Sequence, residues 1–193
     1  MFLVAILSLP YAILAALTNQ PCSGYDLVKR FNKSVESFWS ASHQQIYKAL
    51  AQLEKTEQVT FEKVEQLNRP TKKIYTVTEA GRQALQSWIA QSGAIAPMKS
   101  DLLIKVSVGH IAPTETLLQT LEIYYQQHKE KLKNFQAVSK QYAQAPQLSR
   151  ENQFNYLVLR AGIRQQLAWI AWCEEAMGFL GQPVAVRESS SVI

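Results

Sequence analysis

The chain has 193 residues, of which 47% are hydrophobic, and these include 4 Trp, 8 Tyr and 7 Phe. This composition supplies a substantial core and excludes a disordered polypeptide, and the length allows one large domain or two small ones. Lys and Arg number 20 against 15 Asp and Glu, a formal net charge of +5 that suits a polyanionic partner without requiring one. Cys22 and Cys173 lie far apart with no Cys/His cluster nearby, so we expect reduced thiols rather than a disulfide or a metal site.

The N-terminal stretch MFLVAILSLPYAILAAL is as apolar as the core of a signal peptide. However, no Lys or Arg precedes it, Pro10 and Tyr11 interrupt it, and it is short for a membrane span. We therefore predict a buried first helix at about Leu7–Leu17 in a cytoplasmic protein. Whether Met1–Ile6 belongs to the functional chain stays open at this point.

Two further helices follow the first one. Ser23 followed by Asp26 three residues later is the pattern of a helix N-cap. This pattern predicts a helix that continues to Phe31. A linker is expected over 32–40. The next helix is predicted from about Ser42 to Thr56, because apolar residues recur there at helical spacing.

The periodicity then changes from helical to alternating. VTFEKV and KIYTV alternate on either side of LNRPTK, which predicts a β-hairpin with its turn at Pro70. Thr78 is placed to cap another helix, predicted from Glu79 to about Ile89. The order of these elements is that of a winged helix-turn-helix domain, which we place at residues 1–92.

The remainder is predicted to be a helical dimerisation domain, residues 93–182, followed by a flexible Ser-rich tail, 183–193. Helices are expected at Asp101–Val108, from Pro113 onward, and at about Glu151–Leu180. The last helix carries apolar residues on more than one face, so a second chain is expected to cover part of it. The predicted dimerisation residues are Leu117, Leu121, Tyr124, Leu132, Leu159, Ile163, Leu167, Ile170 and Met177.

Four motifs in this order resemble the PadR family of bacterial transcriptional regulators. They are Gly24-Tyr25-Asp26, an Ile-Tyr-x-x-Leu-x-x-Leu-Glu helix at Ile46–Glu54, a wing tip at Arg69-Pro70, and a Tyr-x-x-Thr-x-x-Gly junction at Tyr75–Gly81. The resemblance is strong over the first half of the chain and weaker over the C-terminal helices. It implies a homodimeric DNA-binding regulator, more often a repressor than an activator, that in many members releases DNA when a small molecule binds.

Two positions depart from the family pattern. Asn68 stands where Gly often precedes Arg-Pro, and because Asn tolerates a left-handed backbone we expect the turn to be kept. Lys48 stands where Pro is common, so the backbone contact of the third helix is expected to differ locally.

The start of the third helix, SHQQIYK, is polar and lacks carboxylates, although Asp or Glu would favour the positive end of the helix dipole. A recognition helix places such residues against base edges, where Gln bonds adenine, while Tyr and Lys reach phosphates. The predicted DNA contacts are Ser42, His43, Gln44, Gln45, Tyr47 and Lys48 on this helix and Arg69, Thr71, Lys72 and Lys73 on the wing. The alternatives stay open: Ser42 with Gln45 is equally a capping box, His43 alone is more often a surface residue, and the wing cations alone could be solvated.

Trp169 and Trp172 are candidates for binding a small planar aromatic effector between the winged helices and the dimer helices, although aromatic residues at helical spacing are more often core. We expect neither enzymatic activity nor a cofactor, because the sequence lacks GxSxG, P-loop, Gly-rich cofactor and metal-ligand patterns. A protein-protein adaptor is the second alternative. Residues 1–90 carry ten basic and seven acidic residues (+3) and residues 91–193 carry ten and eight (+2), a modest excess that fits DNA binding without excluding an adaptor.

Overall fold

The chain folds as two units, Met1–Ile95 and Ala96–Ile193. The computed structural model describes residues 3–33, 41–66, 69–93, 95, 98–144 and 147–181. Most of the predicted linker, the wing turn with Asn68, and the predicted tail therefore lie outside the described residues.

In the first unit the described elements are α1 (Leu3–Asn19), β1 (Cys22–Ser23), α2 (Gly24–Lys33), α3 (His43–Lys55), β2 (Val59–Gln66), β3 (Arg69–Val77) and α4 (Glu79–Ile89). In the second unit they are α5 (Asp101–Ser107), a short 3-10 turn (Gly109–Ile111), α6 (Thr114–Gln144) and α7 (Arg150–Leu180). The predicted fold class, mainly α with a small hairpin in an N-terminal winged helix-turn-helix, is confirmed.

The apolar N-terminal segment forms the buried first helix that the sequence predicts. Ile13, Leu14 and Leu17 of α1 are fully or almost fully buried in the core of the first unit. Tyr11 stacks on Trp88 of α4, with ring centroids 4.9 Å apart. Among the described residues, no helix is both long and apolar enough to cross a membrane.

Helix α3 has one buried and one exposed face. Ile46, Ala49, Leu50 and Leu53 are buried, which is the stripe expected from the i, i+4, i+7 spacing. The helix ends in two backbone hydrogen bonds, from the Gln58 N–H to the Leu53 carbonyl and from the Glu57 N–H to the Glu54 carbonyl. This pair is a Schellman motif, and it places Glu57 at a φ of 56°, a left-handed conformation usually taken by Gly.

The hairpin of β2 and β3 is antiparallel and pairs Val59 with Val77 and Val64 with Lys72. Strand β1 adds to the other edge of β3, where Cys22 pairs with Tyr75, so the sheet order is β1-β3-β2. The sequence predicts the hairpin but places its turn at Pro70, which lies within β3. It misses β1, because two residues are too short to show an alternating pattern. This missed strand fixes the start of α2 against the wing.

Helices α6 and α7 form the body of the second unit. Their contacts run antiparallel: Tyr142 lies beside Tyr156, His128 beside Gln166, and Tyr125 beside Glu174. The buried core of this unit is formed by Leu102 of α5, Leu117 and Leu121 of α6, and Cys173 of α7.

Candidate DNA-binding surface and aromatic cleft

The polar start of α3 forms a capping box. The Gln45 N–H donates to the Ser42 hydroxyl at 3.3 Å, and the Ser42 N–H donates to Gln45 Oε1 at 2.8 Å. Both hydrogen bonds of a capping box are therefore present. Because the carbonyl oxygen of Gln45 already accepts this bond, its amide nitrogen is the group left to face a ligand.

The remaining predicted residues of α3 lie on the face away from the core. His43, Gln44, Tyr47 and Lys48 are all exposed, and Tyr47 is 47% exposed. The ring of Tyr47 lies against the start of α2, since a Cβ added at Gly24 would approach its Cε1 to 2.7 Å. The four side chains thus form one accessible surface without a carboxylate in the first turn.

The wing cations do not extend freely from the hairpin. Lys72 Nζ lies 2.8 Å from the Asp26 carboxylate of α2. Lys73 Nζ lies 3.5 Å from the Glu54 carboxylate of α3 and 3.6 Å from the centre of the Phe61 ring of β2. Thr71 is exposed, and the side chain of Arg69 lies outside the described residues.

Asp26 is held from two sides. Besides Lys72, the Ser23 hydroxyl donates to its carboxylate at 2.8 Å, and the Asp26 N–H donates back to the Ser23 oxygen at 3.2 Å. The hydrogen bond from Lys72, followed by that from Ser23, lowers the pKa of Asp26 below its usual 3.8. The sequence identifies Ser23 as a cap but not the ion pair, because Asp26 and Lys72 are brought together only when β1 pairs with β3.

A second candidate site is the aromatic cleft in the C-terminal unit, a depression of about 350 Å³ lined by Met98, Leu103, Gln165, Ala168, Trp169 and Trp172. Trp169 and Trp172 meet edge to face, with ring centroids 5.6 Å apart. The two predicted effector residues therefore share one opening. Its volume lies within the usual range of small-molecule pockets.

Trp169 also borders a second, more polar depression of about 350 Å³, which Tyr124, His128 and Lys99 line as well. His128 stacks on Trp169 with ring centroids 5.5 Å apart. Its Nδ1 lies 2.7 Å from Oε1 of Gln166, a buried residue, so the two side chains are within hydrogen-bond distance.

The predicted dimerisation residues separate into two groups in a single chain. Leu117, Leu121 and Leu159 are buried within the single chain. Tyr124, Leu132, Ile163, Ile170 and Met177 are half-buried, and Leu167 is exposed. The large exposed apolar residues of α7 that the sequence prediction does not include are Phe154, Leu157, Val158 and Phe179.

Among the described residues, no three His, Cys, Asp or Glu side chains are grouped closely enough to hold a metal ion. The first unit instead combines an exposed polar helix face with a two-stranded wing, and the second is a helical hairpin with an aromatic cleft. These features define a winged-helix regulator with an appended helical domain.

Comparison with known proteins gives the family. The transcriptional regulator PadR-like family matches residues 13–87, and the virulence activator alpha C-terminal family matches residues 98–180. The probable transcriptional regulator Rv1176c of Mycobacterium tuberculosis is 32% identical over 180 residues, covering 88% of this chain and 95% of that protein. The chain belongs to the PadR-like family and is a transcriptional regulator.

Three solved structures of two proteins are similar over nearly the whole chain. Bacillus subtilis PadR in complex with operator DNA has a TM-score of 0.79 at 27% identity, covering 89% of this chain and 97% of that one. The same protein with p-coumaric acid has a TM-score of 0.73 at 27% identity, covering 90% and 99%. The Vibrio cholerae virulence activator AphA has a TM-score of 0.70 at 28% identity, covering 90% and 98%.

Proposed function

We propose that this regulator binds a double-stranded operator as a homodimer in the cytoplasm, without catalytic activity, and represses transcription from it. The observation that carries the proposal is the exposed, carboxylate-free face at the start of α3, beside a two-stranded wing. The similar B. subtilis protein is a negative transcriptional regulator whose structure contains operator DNA, which supports the assignment.

The roles follow from the chemistry of the side chains. Gln44 bonds a base edge, most favourably adenine, through both of its amide atoms. Ser42 and His43 contact base edges or the adjoining sugar-phosphate, and Tyr47 and Lys48 contact phosphates. The wing residues Arg69, Thr71, Lys72 and Lys73 contact the flanking backbone.

Dimerisation is proposed through the exposed apolar residues of the C-terminal unit. Phe154 is 58% exposed, Leu157 is 63% exposed and Phe179 is 78% exposed, more apolar surface than one helix usually leaves in water. A closed two-fold dimer is the commonest way to cover such a surface. Deletion after about Gln91 should then yield a monomeric winged helix by light scattering, and a truncated protein that stays dimeric would place the interface in the first unit.

The direct test is selection of bound sequences from random duplexes by the full-length protein. A two-fold dimer should select an inverted repeat with half-sites about one helical turn, ~34–36 Å, apart. The adaptor alternative predicts no selected sequence and no retention on heparin that falls steeply with salt.

The direction of control needs its own measurement, because the chain is also similar to an activator. A reporter promoter carrying the selected operator should be less active when the protein is present. Increased reporter output would assign activation in place of repression.

We further propose that the aromatic cleft binds a planar aromatic effector, which favours the form of the dimer with lower DNA affinity. The complex of B. subtilis PadR with p-coumaric acid supports this ligand class. Titration with phenolic acids and planar cationic drugs should quench tryptophan fluorescence, and Trp172→Ala should weaken the binding. Trp88→Phe is the matched control, because Trp88 stacks on Tyr11 in the other unit. If no compound quenches, or Trp172→Ala binds normally, the cleft is only part of the core.

A further inference from the structure

Lys72 and Lys73 are neighbours in β3, and each is paired with a carboxylate on a different helix. Lys72 is paired with Asp26 of α2, and Lys73 is paired with Glu54 of α3. Adjacent residues of a strand point to opposite faces, so the two pairs lie on opposite sides of β3. Two of the cations predicted to contact the DNA backbone therefore already have an anionic partner within the protein.

These pairs are accessible to a competing anion. The four side chains are 32% (Lys72), 37% (Asp26), 41% (Lys73) and 37% (Glu54) exposed. Exposed ion pairs of this kind contribute little to stability, so a DNA phosphate can exchange with the carboxylate at small cost. The carboxylate nevertheless remains near the bound phosphate, because the Ser23 hydroxyl also holds Asp26 in place.

We propose that Asp26 and Glu54 limit the affinity of the protein for the DNA backbone by competing with phosphates for Lys72 and Lys73. The inference rests on the proposed function, since it requires the wing to contact DNA. A free lysine that binds a phosphate releases counterions from the DNA. A lysine that must first leave a carboxylate gives a smaller net release, because the vacated carboxylate attracts cations in its place. Each pair should therefore reduce both the nonspecific affinity and its dependence on salt.

The experiment compares Asp26→Asn and Glu54→Gln with the unmodified full-length protein. Fluorescence anisotropy measures binding to a random-sequence duplex between about 50 and 200 mM salt. Each variant should bind more tightly at low salt, and its slope of log affinity against log salt should steepen by up to about 0.9 per chain. A slope that is steeper by about 0.9 corresponds, between about 50 and 200 mM salt, to roughly a threefold larger loss of affinity for each additional phosphate that the protein neutralises.

Glu79→Gln is the matched control. It removes one negative charge from the same unit, but the Glu79 carboxylate lies beside Gln83 on α4 and not in either lysine pair. Its effect should be clearly smaller than that of Asp26→Asn. An equal effect would mean that net charge alone is responsible and would overturn the inference.

A double variant separates competition from a purely structural role. Lys72→Ala should reduce the salt slope more strongly in the Asp26→Asn background than in the unmodified protein, because only there is Lys72 free to neutralise a phosphate. If Asp26→Asn leaves nonspecific binding unchanged, the carboxylate does not compete with phosphates and the inference is wrong. If it lowers nonspecific and operator affinity together, the pairs position the wing and the inference is also wrong. If the unmodified protein binds no DNA at any salt concentration, the proposed function itself fails.

Discussion

Replacement of Gln44 by Ala tests the predicted base contact most directly. Gln44 is exposed on α3, so its truncation should change the free energy of unfolding by no more than about 0.5 kcal/mol. A lost bidentate base contact should cost about 1–3 kcal/mol of discrimination, or roughly 5- to 150-fold in the ratio of operator to random-duplex affinity. Nonspecific affinity should remain nearly the same.

The neighbouring Gln45 supplies a contrast in stability, because its side chain is a predicted DNA contact that also has a structural partner. Gln45→Ala removes the acceptor of the Ser42 N–H and should destabilise the protein by about 0.5–1.5 kcal/mol in urea denaturation. Tyr47→Phe removes a hydroxyl assigned to phosphate, and it should weaken binding to operator and random duplexes alike.

The comparison is made by fluorescence anisotropy on operator and scrambled duplexes at one salt concentration, with unfolding curves for each variant. The interpretation of the α3 surface would be refuted if Gln44→Ala kept full operator preference while remaining folded and dimeric. The start of α3 would then be a capped, solvated helix end and no more.

Two further predictions concern folding. A Cβ at Gly81 would overlap the Gln58 carbonyl oxygen, so Gly81→Ala should destabilise the first unit by about 1–3 kcal/mol in denaturation. Nothing lies within 4 Å of a Cβ at Gly178 on α7, so Gly178→Ala should stabilise the second unit by about 0.5–1 kcal/mol. Equal effects of the two substitutions would contradict the steric explanation. Because the ion pair with Lys72 lowers the pKa of Asp26, its stabilising contribution is present above about pH 4 and lost as the pH falls through the lowered pKa. In urea titrations at about pH 2–6, the stability of Asp26→Asn should therefore fall less steeply with acid than that of the unmodified protein. Identical profiles would refute the assignment.

The sequence by itself determines most of the local structure and the family. The caps at Ser42 and Thr78 and the apolar spacing of α3 depend on residues within about four positions, so helix ends are readable from the chain. The hairpin is equally readable, because its strands are adjacent and alternate. The exposed polar face at His43 and Gln44 follows as the complement of the buried stripe.

Only the tertiary structure decides which distant residues meet. The pairing of β1 with β3 brings Asp26 beside Lys72, 46 positions later. The pairing of β3 with β2, which contacts α3, brings Glu54 beside Lys73. The antiparallel course of α6 and α7 likewise buries Leu121 and Leu159, which helical spacing alone could not distinguish from interface residues. Periodicity identifies which face of a helix is apolar, but what covers that face, and which carboxylate neutralises a given lysine, depends on contacts between segments that are remote in sequence.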